Sequence, residues 1–360
     1  MKATLVVTHN CNFNCSYCLQ THENKAMSLD TAKKAIDMLA KIKHTKALQI
    51  SFYGGEPLIE KDLIKEIVLY SEEQIMKPQN IKVIYEITTN GRLLDEDFIE
   101  FASKHRLLLA LSHDGLAQDL TRRDVAGNLT REDADSKLSM LLSHNPRTPV
   151  MMTLHSDPES IATLSDSVRF FKESGLRILN VTPAVGNRVN WTDESFDLLQ
   201  DQLTKVRDLY VDYNRGNSEF VFIPFENKIK DYVRQRPDES DMCRICSDKL
   251  MIDIDGRFYP CTHFVGNPDF EIGSLAQGPD ESRIQALEQT RLTQPDCASC
   301  ALASRCKHRC ACNNHGRTGN ISDPGAFQCN LEQLIIALAD SAAEQLLNDE
   351  NPKFVKRIYS

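Results

Sequence analysis

The first 215 residues alternate between strand-like and helix-like segments, and this alternation restricts the fold more than any other feature of the chain. Short apolar runs rich in β-branched residues predict strands at residues 2–7, 47–53, 81–88, 107–112, 150–155 and 176–183. Apolar residues at helical spacing predict helices at residues 29–39, where Ser28 is the cap, and at 62–76, 96–104, 132–143, 158–174 and 192–215. Six strand–helix units in succession predict an α/β fold with a parallel sheet and helices outside it. The pattern does not distinguish a doubly wound sheet from a barrel.

Unusual residues follow the C-terminal ends of the first four predicted strands. A loop with three cysteines follows the first strand. The next three strands are followed by Gly54-Gly55-Glu56-Pro57, Thr88-Thr89-Asn90-Gly91 and Ser112-His113-Asp114-Gly115. Ligands of parallel α/β folds bind at this edge of the sheet, so we expect the four segments to share one site.

The cysteines of the first loop are Cys11, Cys15 and Cys18. Three thiolates can hold a four-iron cluster by three corners and leave the fourth iron open to bind and activate a small molecule. Structural zinc explains this trio poorly, because such a site needs a fourth protein ligand.

The C-terminal part has a different character. From about residue 230 the chain is rich in loops, and it carries nine cysteines between Cys243 and Cys329. Residues 219–224 are either a last strand or the start of a connecting segment, residues 249–259 predict a hairpin, and residues 331–347 predict a helix that packs back on the body. A disulfide framework suits small secreted chains and is disfavoured here. Structural zinc at Cys243-x2-Cys246 and Cys297-x2-Cys300 stays open.

Composition excludes some classes of function. The chain has 360 residues and a net charge of -9, without a clustered basic face, so we expect no nucleic-acid partner. Its apolar runs are too short to span a bilayer, and its start has no cleavable signal pattern. We expect a cytoplasmic protein that does not bind membranes.

The motifs resemble those of a known superfamily. Cys11-x3-Cys15-x2-Cys18, with Tyr17 before the last cysteine, resembles the signature of radical S-adenosylmethionine (SAM) enzymes, and Gly54-Gly55-Glu56-Pro57 resembles their methionine-binding motif. The later cysteines, including Gly256-x4-Cys261, resemble the SPASM extension. The resemblance implies a partial (β/α)6 TIM-like barrel at residues 1–228, a loop-rich, Cys-rich SPASM domain at 229–330, and a C-terminal helix and tail at 331–360.

The resemblance also implies a site for SAM in a radical SAM oxidoreductase. The open iron would chelate the amino and carboxylate groups of SAM. Tyr17 is expected near the adenine, and the backbone of Gly54 and Gly55 close to the ligand. The remaining expected SAM contacts are Glu56 for the ammonium, Ser112 for the ribose and Arg122 for the carboxylate. A solvated surface position is an equally weighted alternative for Arg122.

Two auxiliary [4Fe-4S] clusters are implied besides the one that binds SAM. The family pattern assigns the first cluster to Cys243, Cys246, Cys261 and Cys310. It assigns the second cluster to Cys297, Cys300, Cys306 and Cys329. Cys312 is left over, either as a spare thiol or as a replacement for Cys310.

The resemblance implies that the substrate is a peptide or protein. Anaerobic sulfatase maturases have Gln before Gly-Gly-Glu and Asp after the Gly-x4-Cys cysteine, where this chain has Tyr53 and Thr262. We therefore expect a maturase of ribosomally made precursor peptides that uses a 5′-deoxyadenosyl radical to form a thioether, C–C or C–O crosslink. His263 is the candidate catalytic base, with a polar loop position as the alternative. The alternatives are sulfatase maturation, a small-molecule radical SAM dehydrogenase, or a non-catalytic electron-transfer or zinc scaffold.

The expected partners are a precursor peptide and an electron donor of flavodoxin or ferredoxin type. Because the first strand begins at Lys2, we expect no added leader-recognition domain. We therefore expect the leader to bind the barrel–SPASM surface or a separate recognition protein.

Overall fold

The computed structural model describes residues 2–41, 47–79, 81–216, 218–234, 249–291, 297, 299–307, 310–349 and 351–359. The strands of its main sheet are β1 Lys2–Thr8, β2 Ala47–Gly54, β3 Lys82–Thr89, β4 Leu107–Ser112, β5 Val150–Leu154, β6 Ile178–Pro183, β7 Val221–Ile223, β8 Lys249–Ile252 and β9 Phe258–Tyr259. The helices of eight or more residues are α1 Leu29–Ala40, α2 Lys61–Ser71, α3 Glu96–His105, α4 Arg131–His144, α5 Leu164–Glu173, α6 Asp193–Tyr213, α7 Phe225–Arg234, α8 Glu281–Arg291, α9 Ala311–Thr318, α10 Gly325–Asn348 and α11 Pro352–Tyr359.

The main sheet adds its strands in chain order. From β1 to β7 each strand pairs in parallel with the strand that precedes it, and β8 pairs in parallel with the other edge of β1. The short strand β9 is antiparallel to β8. This order, with helices between the strands, confirms the predicted α/β class, and it shows that residues 219–224 contain a true strand.

The two faces of the strands have different chemistry, as their period of two requires. In β2, Leu48, Ile50 and Phe52 are buried in the apolar core beneath the helices. The alternate residues Gln49 and Ser51 line an internal cavity on the other face. The sheet therefore has an apolar outer face and a polar inner face that surrounds the ligand space.

The helix boundaries follow local signals in the sequence. Ser28 Oγ accepts a hydrogen bond from the backbone N–H of Thr31 at 3.0 Å, which confirms the predicted cap of α1. The predicted helix at 158–174 is in fact two helices, Pro158–Ala162 and α5, which meet at Thr163. The predicted helix at 62–76 is α-helical only to Ser71 and continues as a wider π-type turn.

The C-terminal part is attached to the barrel sheet through β8. The predicted hairpin is confirmed as β8 and β9, but its pairing with β1 was not anticipated, and it crosses the boundary expected between the two domains. A second link is the pair His9–Asp253, with Nε2 and Oδ1 2.7 Å apart. In the described part of the chain, no helix combines the length and hydrophobicity needed to cross a membrane.

Candidate functional site

The loop with the cysteine trio is held by a small sheet that the sequence did not reveal. Phe13–Cys15 pairs antiparallel with Arg122–Asp124, and Cys15 lies opposite Arg122. Two more backbone hydrogen bonds extend the contact, Ser16 N–H to Thr121 O at 2.9 Å and Val125 N–H to Asn12 O at 3.2 Å. The trio is therefore fixed from one side by the segment that follows β4.

The Gly-Gly motif holds the start of the same loop. The Gly55 N–H donates to Thr8 O at 3.1 Å, and the Glu56 N–H donates to Asn10 O at 2.9 Å. A Cβ at Gly54 would lie 2.2 Å from Thr8 O, and one at Gly55 would lie 2.2 Å from Asn10 O. Both glycines are therefore required for close approach of two backbone segments, in addition to any ligand they contact.

The Glu56 carboxylate is buried and held by three donors. Oε1 accepts from the Leu58 N–H at 3.0 Å and from Thr89 Oγ1 at 2.7 Å, and Oε2 accepts from the Asn90 N–H at 2.8 Å. Burial raises its pKa, and these hydrogen bonds oppose the rise. The segment Thr88-Thr89-Asn90-Gly91 therefore positions Glu56. The sequence pattern places this segment at the ligand-binding edge of the sheet but assigns it no function.

Arg122 is buried, so the alternative of a solvated surface position, which the sequence left open, is wrong. Its Nε lies 2.9 Å from Asp114 Oδ2, as an ion pair whose N–H is not aligned for a hydrogen bond, and its guanidinium lies 5.4 Å from the Tyr17 ring centroid. Burial lowers its pKa, but Asp114 and other neighbouring acidic groups outweigh this and raise it overall. Asp114 also accepts from the Tyr17 hydroxyl at 2.6 Å and from the Thr153 N–H at 2.9 Å.

The trio, Tyr17, the Gly-Gly-Glu motif, Ser112 and Arg122 all line one cavity of about 160 Å³. The four predicted segments therefore meet there. Burial raises the pKa of Cys11 to about 12 and that of Cys15 to about 11. Thiolates at these positions need a compensating positive charge, so the residues present fit an iron–sulfur cluster.

A second cavity, of about 220 Å³, adjoins the first at Tyr17, Cys18, Gln20 and Tyr53. His263 is exposed and lines this cavity. Burial raises the pKa of Tyr53, and the neighbouring Thr262 side chain opposes the rise. The two positions that differ from the sulfatase maturases are therefore neighbours, and Tyr53 lies where the two cavities meet.

Three of the later cysteines gather beside this region. Cys310 Sγ and Cys312 Sγ are 3.6 Å apart, and Cys312 lies next to Cys261 and lowers its pKa. Cys312 is thus placed with the expected ligands, whereas its assignment as spare or ligand stays a prediction. Cys243 and Cys246 lie outside the described residues.

The remaining alternatives for the cysteines can be compared with the structure. No disulfide joins the ten described cysteines to one another. The second expected set, Cys297, Cys300, Cys306 and Cys329, ranges from partly buried to exposed.

Comparison with known proteins places the chain in a superfamily. Residues 5–171 match the family model described as the radical SAM superfamily. An uncharacterised protein of Methanocaldococcus jannaschii is 31% identical over 49% of this chain and 60% of its own length. The radical SAM cyclopropyl synthase TigE of Paramaledivibacter caminithermalis is 26% identical over 92% of this chain and 72% of its own. A cysteine-type anaerobic sulfatase-maturating enzyme of Clostridium novyi is 23% identical over 88% of this chain and 89% of its own.

Solved structures agree on the fold. Native anSMEcpe with bound AdoMet and Cp18Cys peptide has a TM-score of 0.79 and 17% identity over 97% of this chain and 99% of its own. SuiB of Streptococcus suis bound to the precursor peptide SuiA has a TM-score of 0.63 and 18% identity over 91% of this chain and 75% of its own. The cysteine trio, the Gly-Gly-Glu cradle and these similarities agree that the chain is an enzyme with a radical SAM domain over residues 5–171 and an implied [4Fe-4S] cluster, similar to maturases such as TigE and the sulfatase-maturating enzymes.

Proposed function

We propose that this enzyme is a maturase of a ribosomally synthesised precursor peptide and joins two side chains of that peptide through a thioether, C–C or C–O bond. The observation that carries the proposal is the continuity of the two cavities. A peptide residue in the second cavity adjoins the trio at Cys18, and its other side is lined by His263 and Asn313, which are close in the chain to Cys261 and Cys312. The cyclopropyl synthase relative and the precursor-bound SuiB structure support a peptide substrate.

The proposed cofactors are SAM and three [4Fe-4S] clusters, held by the cysteine sets given above. When bound, SAM and the reduced cluster supply a 5′-deoxyadenosyl radical for hydrogen abstraction, and the auxiliary clusters supply acceptors for the remaining electron. Glu56 and Arg122 would bind the ammonium and carboxylate of SAM, Ser112 the ribose and Tyr17 the adenine. Arg122 is the better prepared for its part, because Asp114 and the Tyr17 ring already orient it.

Crosslinking requires that the substrate lose one hydrogen atom, one proton and one electron. His263 is the proposed base for the proton, because an imidazole nitrogen can accept a proton and this one borders the second cavity. The described residues that line this cavity include no carboxylate. The cavity therefore favours a base other than the aspartate expected of sulfatase maturases.

Sulfatase maturation is the second candidate, and the Clostridium novyi relative favours it. In this chain, however, the position expected to carry aspartate is Thr262, whose hydroxyl lies 3.9 Å from Cys261 Sγ and neighbours Tyr53. A hydroxyl in that contact is a weak general base at neutral pH. We therefore place this function behind peptide crosslinking.

The test uses anaerobically reconstituted protein with SAM and dithionite. The wild type should release 5′-deoxyadenosine, Cys15→Ala should abolish the release, and Cys312→Ala is the matched control that should retain it. A precursor peptide encoded beside this chain should lose the mass of two hydrogen atoms. A peptide from a sulfatase that instead gains formylglycine would overturn the proposal in favour of the second candidate.

The electron donor and a separate leader-recognition protein remain proposed partners. Replacing dithionite with a flavodoxin or ferredoxin system should sustain the same release. Modification of the core peptide without its leader would show that no leader recognition is needed.

A further inference from the structure

Arg317 is a partly buried cation that has no carboxylate counter-ion among the described residues, where Cys310 is the charged neighbour. It lies near the end of α9, and its Nε is buried without a hydrogen-bond partner in the described part of the chain. Burial lowers its pKa to about 10. Its guanidinium instead stacks over Phe327, 4.6 Å from the ring centroid, and Phe327 is stacked on Trp191.

Two other arginines of the described residues, whose side chains are largely buried, are paired. Arg122 lies 2.9 Å from Asp114, and Arg357 lies 2.8 Å from Glu226. Their pKa values are raised, in contrast to that of Arg317. A buried charge without a partner is costly, so the unmatched guanidinium indicates that its anion comes from outside the described chain.

The space beside Arg317 can receive such an anion. A cavity of about 80 Å³ is bordered by Arg317, Lys307 and Asn313. One buried water needs roughly 10–15 Å³ of such volume, so a carboxylate and some water fit. The cavity adjoins the second cavity at Thr182, Pro183 and Asn313. A group bound at Arg317 can therefore belong to a peptide whose reacting residue faces Tyr17.

The acidic side chain of this small cavity is already neutralised. Glu332 Oε2 accepts from Lys228 Nζ at 2.6 Å and from the Lys307 N–H at 2.9 Å, and Oε1 accepts from Gln328 Nε2 at 3.1 Å. Glu332 therefore has no free charge to offer Arg317. The uncompensated charge of the cavity is positive, and the planar fork of a guanidinium suits a carboxylate.

We propose that Arg317 forms an anion subsite in the small cavity that adjoins the second cavity, and that it binds a carboxylate of the peptide, from an acidic side chain or the C-terminus. The proposal rests on the proposed peptide substrate. With this subsite the enzyme would prefer acidic peptides, although its net charge of -9 by itself repels them. Arg317 is thus a specificity-determining residue that does not touch the reacting atoms.

The test is an affinity selection that needs no turnover. Reconstituted full-length protein with SAM is immobilised under anaerobic conditions and exposed to random octapeptides made with free or amidated C-termini. The wild type should retain peptides with Asp or Glu about tenfold or more over their Asn or Gln counterparts, or free over amidated C-termini, as expected for a charge-assisted contact. The two comparisons identify the source of the carboxylate.

Arg317→Gln should abolish the preference, Arg317→Lys should keep part of it, and the exposed Arg147→Gln is the matched control that should keep all of it. The subsite is overturned if the wild type retains acidic peptides and their amide counterparts equally, or retains neither above the level of bare resin. This outcome needs only the wild type, so it holds even if Arg317→Gln fails to fold. A preference that survives in Arg317→Gln would also overturn it. If that variant instead shifts the reduction potential of an auxiliary cluster, Arg317 serves the cluster.

The two proposals can fail separately. Absence of 5′-deoxyadenosine release refutes the proposed function whatever the selection shows. A peptide that is modified without any acid preference refutes only the subsite.

Discussion

Replacing Asp114 with asparagine should destabilise the fold strongly and impair SAM binding. The carboxylate is completely buried, and Arg122, its ionic partner, is buried beside it. Asparagine keeps the size of the side chain but leaves the guanidinium without a counter-charge. Breaking a buried ion pair in this way costs about 3–5 kcal/mol.

The hydrogen bonds of Asp114 add to this cost. Oδ1 accepts from the Thr153 N–H at 2.9 Å, and Oδ2 accepts from the hydroxyls of Tyr17 at 2.6 Å and Thr121 at 2.8 Å. An amide has only one acceptor oxygen, so at least one of these contacts must rearrange. Since Tyr17 and Arg122 line the cofactor cavity, the KM for SAM should rise as the stability falls.

Anaerobic urea unfolding, followed by circular dichroism, measures the loss. Asp166→Asn is the control, because its pair with Arg169 is exposed and should change stability by less than about 1 kcal/mol. The double variant Asp114→Asn/Arg122→Gln should recover part of the loss, since it removes both charges. The reasoning is refuted if Asp114→Asn unfolds within about 1 kcal/mol of the wild type, or if the double variant loses the sum of the single losses.

Three further predictions concern the loop, the core and the later cysteines. Gly55→Ala should lower the free energy of unfolding by about 1–3 kcal/mol and reduce the iron bound by the trio, because its Cβ would lie 2.2 Å from Asn10 O. The control Gly175→Ala, whose Cβ would meet nothing within 4 Å, should keep the iron. Burial holds the pKa of His113 in the folded protein below 6.5, so on acidification the unfolded chain binds a proton at a higher pH than the folded chain does. The stability should therefore fall as the pH drops from 6.5 towards the pKa of the folded state. Unfolding midpoints at pH 7.5 and 5.5 should therefore differ more for the wild type than for His113→Gln, and an equal difference would contradict this. Iron analysis should show a loss in Cys310→Ser and none in Cys312→Ser, and the reverse result would make Cys312 the ligand.

The parts of the site that were predictable are those encoded by short segments. The motif at Gly54 and the segment at Ser112 each follow a strand, and parallel strands bring such segments together whatever the rest of the chain does. The cap at Ser28 is likewise a local signal. These features required only periodicity and the direction of the strands.

The features that escaped prediction depend on contacts between distant residues. An adjacent pair of arginines gives no sign that Arg122 is buried, because its partner Asp114 becomes a neighbour only after the chain folds. The small sheet between Phe13–Cys15 and Arg122–Asp124 is too short to register as a periodic pattern. Nothing local distinguishes Arg317, since its signal is that its Nε has no hydrogen-bond partner among the residues the structure describes.

The pairing of β8 with β1 has a consequence for biosynthesis. The ribosome releases β1 and the cysteine loop early, but the outer edge of β1 stays unpaired until Lys249–Ile252 has emerged. An unpaired edge strand invites association with other chains, and closing so long a loop is slow. A chain that stops before β8 should therefore aggregate rather than accept iron. The cysteine trio is therefore translated before the other cluster ligands, but the sheet that carries its loop is complete only after β8 has paired with β1.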